Sequence, residues 1–122
     1  MRQLFALLVI AHGIAHLVGF AVPFGLVANP DLTARTTVLN GALEVGETGA
    51  KVMGILWLAL AVGFLAAGAA ILAGRWDPIW IVRLGGLSFV FCLIAWPEAR
   101  IGAAVNLAIV ATLFAIQRFA VP

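Results

Sequence analysis

Four apolar segments constrain this chain more than any other feature. They run over Leu4–Val27, Thr48–Ala73, Ile79–Trp96 and Ile101–Ala120. At a rise of about 1.5 Å per residue, each can cross the roughly 30 Å of hydrocarbon in a bilayer. Of the 122 residues, 65% are hydrophobic and only 10% charged, whereas a water-soluble domain of this size exposes far more charge. The segments lack the alternation of polar and apolar residues that a membrane β-barrel requires, and 13 glycines suit closely packed helices. The expected fold is therefore an all-α membrane protein, a four-transmembrane-helix bundle in the lipid bilayer, forming a single domain over residues 1–122.

The connections refine this picture. Arg2 ahead of an apolar run resembles a secretory signal, but two histidines inside the run and a poor cleavage context at Leu26-Val27-Ala28 mark it as a retained helix. Pro23 predicts a kink in its last turn or two. Gly74-Arg75-Trp76-Asp77-Pro78 and Pro97-Glu98-Ala99-Arg100 are tight turns, which makes the second, third and fourth helices antiparallel neighbours. Ala28 to Glu47 is the one long connection. It opens on the turn or helix-start signal Asn29-Pro30-Asp31, and Asn40-Gly41 lies between two β-prone runs. A two-residue turn there pairs Val38 with Leu43 and Thr36 with Val45, giving a small extracytoplasmic β-hairpin with one apolar face. The alternative is an irregular loop with a short interfacial helix.

Charge sets the topology. With four spans, Arg2, Arg75, Arg83 and Arg118 fall on one side and Arg35, Lys51 and Arg100 on the other, which favours both termini in the cytoplasm. Trp76 and Trp80 at one end of the third helix and Trp96 at the other suit the interfacial belts, and Arg83 is placed to snorkel. The net charge of +2 comes without a basic cluster, so no nucleic-acid partner is expected. Small residues recur at Ala59, Gly63 and Ala67, at Ala66, Ala70 and Gly74, at Gly85, Ser88, Cys92 and Ala95, and at Ala104, Ala108, Ala111 and Ala115. Such stripes let helices approach each other in lipid.

Within the first segment, His12 and His16 are four residues apart and share one helix face. Polar groups at this depth need partners. Counting the rise along each helix puts Ser88 near the level of His12, Cys92 near that of His16, and Asn106 about a turn above His16. The candidate ligand-binding residues are therefore His12, His16, Ser88, Cys92 and Asn106, with Glu47 descending from the outer loop. Glu47 also stands four residues before Lys51, the favourable order for a helical ion pair. The cysteine count of one rules out an intrachain disulfide, and Cys92 is either a packing residue or a thiolate ligand. No signature of a nucleophile with its base, and no phosphate loop, is present. The pair at i and i+4 suits a metal only if Cys92 or Glu47 completes the set, because Gly13 follows His12 where zinc helices carry an acid.

The same residues carry a resemblance. His12-Gly13-Ile14-Ala15-His16, Gly49 with Gly54-Ile55-Leu56-Trp57-Leu58, and Ser88 with Cys92 ahead of Trp96-Pro97-Glu98-Ala99-Arg100 and Gly102 to Asn106 look like uncharacterised bacterial four-helix small membrane proteins. Their layout is similar to that of DoxX-like proteins. The resemblance implies a bacterial cytoplasmic (inner) membrane protein and names no reaction. A transporter permease, a label such sequences sometimes carry, would need a coupling loop and a second half.

The leading expectation is a histidine-centred site that binds a small ligand, a quinone, lipid headgroup or metal, from the outer side. The alternatives are a non-catalytic accessory or scaffold subunit of a homo-oligomer or larger membrane complex, with the histidines as interhelical glue, and an oxidoreductase component using Cys92.

Overall fold

A computed structural model describes residues 1–28, 30–32 and 34–120. The chain forms four helices, α1 (Arg2–Ala21), α2 (Gly46–Leu72), α3 (Pro78–Ile94) and α4 (Arg100–Ala120), with a two-stranded hairpin between the first two, β1 (Thr37–Val38) and β2 (Leu43–Glu44). The architecture is all-α apart from that hairpin. Three of the helices, α1, α2 and α4, are long and apolar enough to cross a membrane, and α3 is a shorter apolar helix.

The ends of these helices follow local chemistry. Gly74, at φ 71, closes α2 in a left-handed cap in which Arg75 N donates to Ala70 O at 2.9 Å. Asp77 then caps α3 by accepting from Ile79 N at 2.9 Å, with Pro78 in the first turn where its missing N–H does no harm. The first helix departs from expectation. It stops at Ala21 instead of running kinked to Val27, because Gly25 at φ 66 lets Leu26 N reach back to Ala21 O at 2.9 Å. Pro23 thus sits in the turn that ends the helix. Of the Asn29-Pro30-Asp31 signal, Asn29 lies outside the described residues, and Pro30 and Asp31 form a turn.

The Asn40-Gly41 hairpin is present. Val38 pairs with Leu43 and Thr37 with Glu44, Val45 N donates to Thr36 O at 2.7 Å, and Ala42 N donates to Leu39 O at 3.1 Å across the turn. Asn40 and Gly41 both adopt positive φ, 56 and 83, as that turn demands. Leu39 N and Asn40 N donate to Ile94 O at 2.8 Å and Trp96 O at 3.0 Å, satisfying carbonyls at the end of α3. The hairpin therefore docks through β1 and its turn. Only Val38 of the expected apolar face is buried, and Leu43 on the far strand is exposed.

Glycines fix how the helices meet. Along α1 and the turn that follows it, Ala6 and Ile10 lie against Gly68, Gly13 against Ala61, Phe64 and Leu65, Gly19 against Trp57, and Pro23 and Phe24 against Gly54. The descending numbers make α1 and α2 a closely packed antiparallel pair. In the same way Gly102 meets Cys92 and Gly85 meets Val110, pairing α3 with α4. Phe5, Ala6, Val9, Phe64, Ile71, Ile81, Ile109 and Leu113 form an apolar core in the half of the bundle that holds the N-terminus. Leu7, Ile14, Val18, Ile55, Val62, Leu87, Val90, Leu107 and Phe114 face outward, so the helices are apolar on both sides. Ala104, Ala108, Ala111 and Ala115 also lie on the outer surface, whereas Gly85, Ser88 and Cys92 are buried.

Candidate functional site

The four buried polar or charged side chains of the described core, His12, His16, Ser88 and Asn106, meet in one layer. An Asn106 Oδ1 only accepts, so His12 Nε2 carries a proton and donates to it at 3.0 Å. Asn106 Nδ2 donates to Ser88 Oγ at 2.9 Å and to Cys92 Sγ at 3.6 Å. Ser88 Oγ and His16 Nε2 lie 2.7 Å apart. In this orientation both Asn106 N–H groups meet an acceptor, Ser88 Oγ and Cys92 Sγ.

The sequence places these residues in one layer, and the structure joins them with different pairings. His16, not His12, meets Ser88, and His12 meets Asn106. Helical side chains lean toward the helix N-terminus, so the imidazole of His16 reaches back toward the level of Ser88. The tight turn before α4 sets Asn106 alongside Ser88 and Cys92, lower than the simple count of rise suggests.

Aromatic rings hold the imidazoles from the other side. The two histidine rings stand 4.4 Å apart, centre to centre. Phe64 packs edge-on against both, at 4.8 and 5.3 Å, and Trp57 packs against His16 at 4.9 Å and Phe91 at 4.6 Å. Gly13 lets α2 approach closely enough to bring Phe64 there. Trp57 and Phe64 contribute to the site beyond the polar residues that depth alone picks out. A tryptophan in mid-helix, away from either expected interface, was the available signal for the first.

Above this layer lies an open cavity of about 520 Å³. Its floor is His12, His16, Trp57, Cys92 and Val105, and Arg35, Asp31 and Glu98 stand among the residues around its outer end. Ala15 and Val18 of α1, Val22 just after it and Ile101 of α4 line its flank, where the two helix pairs separate. Among the described residues, no side-chain nitrogen or oxygen sealed from the surface lacks a hydrogen-bond partner. The Nδ1 atoms of His12 and His16 take part in none of the bonds above, so the 5% of each histidine that stays accessible includes that atom. Both histidines are among the residues that line the cavity.

Glu47 stands apart from the site. It is exposed in the first turn of α2 and does not line the cavity. Its expected ion pair with Lys51 is not formed, and the salt bridge among the described residues is Arg35 Nε to Glu98 Oε1 at 2.8 Å. The acids at the cavity mouth are instead Asp31 and Glu98. No group of three or more His, Cys, Asp or Glu side chains among the described residues is arranged to hold a metal ion.

Compared with known families, curated proteins and solved structures, the chain matches no family, no curated protein and no solved structure.

Proposed function

We propose that the protein is an integral protein of a bacterial inner membrane that binds a small, uncharged, lipid-soluble ligand between its two helix pairs. The observation that carries this reading is the cavity of about 520 Å³ whose floor presents two buried imidazoles. That volume is typical of small-molecule sites, as is an apolar wall with a few convergent polar atoms.

Membrane residence is supported by outward-facing Leu, Ile, Val and Phe on all four helices and by three helices of spanning length. The fourth, α3, has 17 residues, at the short end of the range of about 17–25 that cross a bilayer. With four spans both termini lie on the cytoplasmic side, as the distribution of arginine favours. The hairpin and the cavity mouth then face outward. The resemblance to DoxX-like proteins belongs with this reading. Of the candidate ligands, a metal ion is the least suited, because no third His, Cys, Asp or Glu among the described residues joins the two imidazoles in a metal-holding group.

The exposed row Ala104, Ala108, Ala111 and Ala115 favours a second role, docking against another membrane helix in a homo-oligomer or larger complex. The two roles are compatible.

The test is native mass spectrometry of the detergent-purified protein beside His12→Gln and His16→Gln, with elemental analysis of the same samples. The proposal expects a bound organic molecule in the wild type that is lost from both folded variants. A wild type that carries nothing, with variants changed only in stability or oligomeric state, leaves the histidines as interhelical glue.

A further inference from the structure

The hydrogen bonds of the polar layer run in one direction. His12 Nε2–H donates to Asn106 Oδ1, and Asn106 Nδ2–H donates to Ser88 Oγ. The Ser88 hydroxyl, which also bonds Cys92, still has its own hydrogen to give, and His16 Nε2 at 2.7 Å is within reach to take it. A neutral imidazole carries one N–H and one lone pair. With that hydrogen given to His16, the two rings are in opposite tautomers. The Nδ1 of His12 is then bare and that of His16 carries the hydrogen. Both rings line the cavity, with their centres 4.4 Å apart.

We propose that the group held there is a single hydroxyl, of an alcohol or a phenol, which donates to His12 Nδ1 and accepts from His16 Nδ1–H. A hydroxyl is both donor and acceptor on one atom, which is what this pair requires. A carbonyl or ether oxygen accepts from His16 and leaves His12 unsatisfied. An ammonium group donates to His12 and clashes with the N–H of His16. The apolar remainder of the ligand lies along Val18, Val22, Ile101 and Val105, where the cavity flank opens between α1 and α4. Asn106 and Ser88 act as positioning residues, since they set the tautomers without reaching the ligand.

This inference rests on the reading of the cavity as a ligand site, and its test separates the two. Binding of para-pentylphenol, para-pentylanisole and pentylbenzene is measured by equilibrium dialysis against nanodiscs with and without the protein. The phenol is expected to bind about tenfold more tightly than the anisole, the equivalent of one hydrogen bond lost beside an unsatisfied acceptor. In Asn106→Leu, which frees the His12 tautomer, that preference is expected to fall to about twofold or less while pentylbenzene binding persists. Equal binding of all three probes to the wild type overturns the hydroxyl assignment and leaves the ligand site standing. Failure of all three to bind above the level of empty nanodiscs overturns both.

Discussion

Replacing Gly13 with Ala tests the close approach on which the site depends. A Cβ there would stand 3.0 Å from Phe64 Cβ, 3.1 Å from Ala61 O and 3.2 Å from Leu65 N. Two of these are backbone atoms of α2, which no rotamer change can move. The helices must separate by a few tenths of an ångström, and overpacking of this kind costs about 1–3 kcal/mol. Alanine also favours the helical state over glycine by about 1 kcal/mol, which would mask part of the loss. Gly86→Ala supplies the correction, because a Cβ at Gly86 meets nothing within 4 Å and carries the same propensity gain. Both variants are unfolded by titration with sodium dodecyl sulfate from mild detergent micelles. Gly13→Ala is expected to be less stable than Gly86→Ala by about 1–3 kcal/mol. Equal stability would refute the argument that Gly13 sets the spacing of α1 and α2 and holds Phe64 against the imidazoles.

Other consequences follow from the same geometry. Asn106→Ala leaves His12 Nε2–H facing a void and is expected to cost about 1–3 kcal/mol in the same unfolding assay, a loss that Ser88→Ala should share only in part. The Arg35–Glu98 pair is exposed, so Arg35→Ala and Glu98→Ala are each expected to change stability by less than about 1 kcal/mol, with the effect shrinking further in high salt. With Cys92 replaced by Ala, cysteines introduced at Leu43 and at Arg75 should react with a membrane-impermeant maleimide from opposite faces of sealed vesicles. Reaction of both from one face would exclude α2 as a spanning helix.

Much of the fold was legible because it depends on local chemistry. Asn40-Gly41 specified the hairpin turn and its register, since both positions need positive φ. Asp77-Pro78 and Gly74 marked the turn between α2 and α3 for equally local reasons. The end of α1 is not where Pro23 alone would put it, because Gly25 in a left-handed conformation stops the helix. Orientation about the helix axes was the harder problem. A helix that is apolar all round has no polar face to show which way it turns, so the alanine row of α4 could not be assigned to a packed or an outward surface from its spacing.

The site shows the same division. His12 and His16 stood out because polar side chains in a long apolar run must find partners, and the rise per residue put Ser88, Cys92 and Asn106 within reach. Which histidine meets which partner depended on the lean of the side chains and on the tightness of one turn. Phe64 has no feature in the sequence that separates it from any other core aromatic, and Glu98 takes the place expected of Glu47 because the fold of the long loop decides which acid reaches the cavity mouth.

The most direct test of the account is ¹⁵N NMR of the histidine-labelled protein in nanodiscs, recorded before and after addition of para-pentylphenol. Two opposite tautomers, Nε2–H in His12 and Nδ1–H in His16, are predicted, with both Nδ1 resonances moving on addition and both Nε2 resonances holding still. The same tautomer in both rings, or Nδ1 resonances indifferent to the phenol, would contradict a site in which the two imidazoles jointly read a ligand.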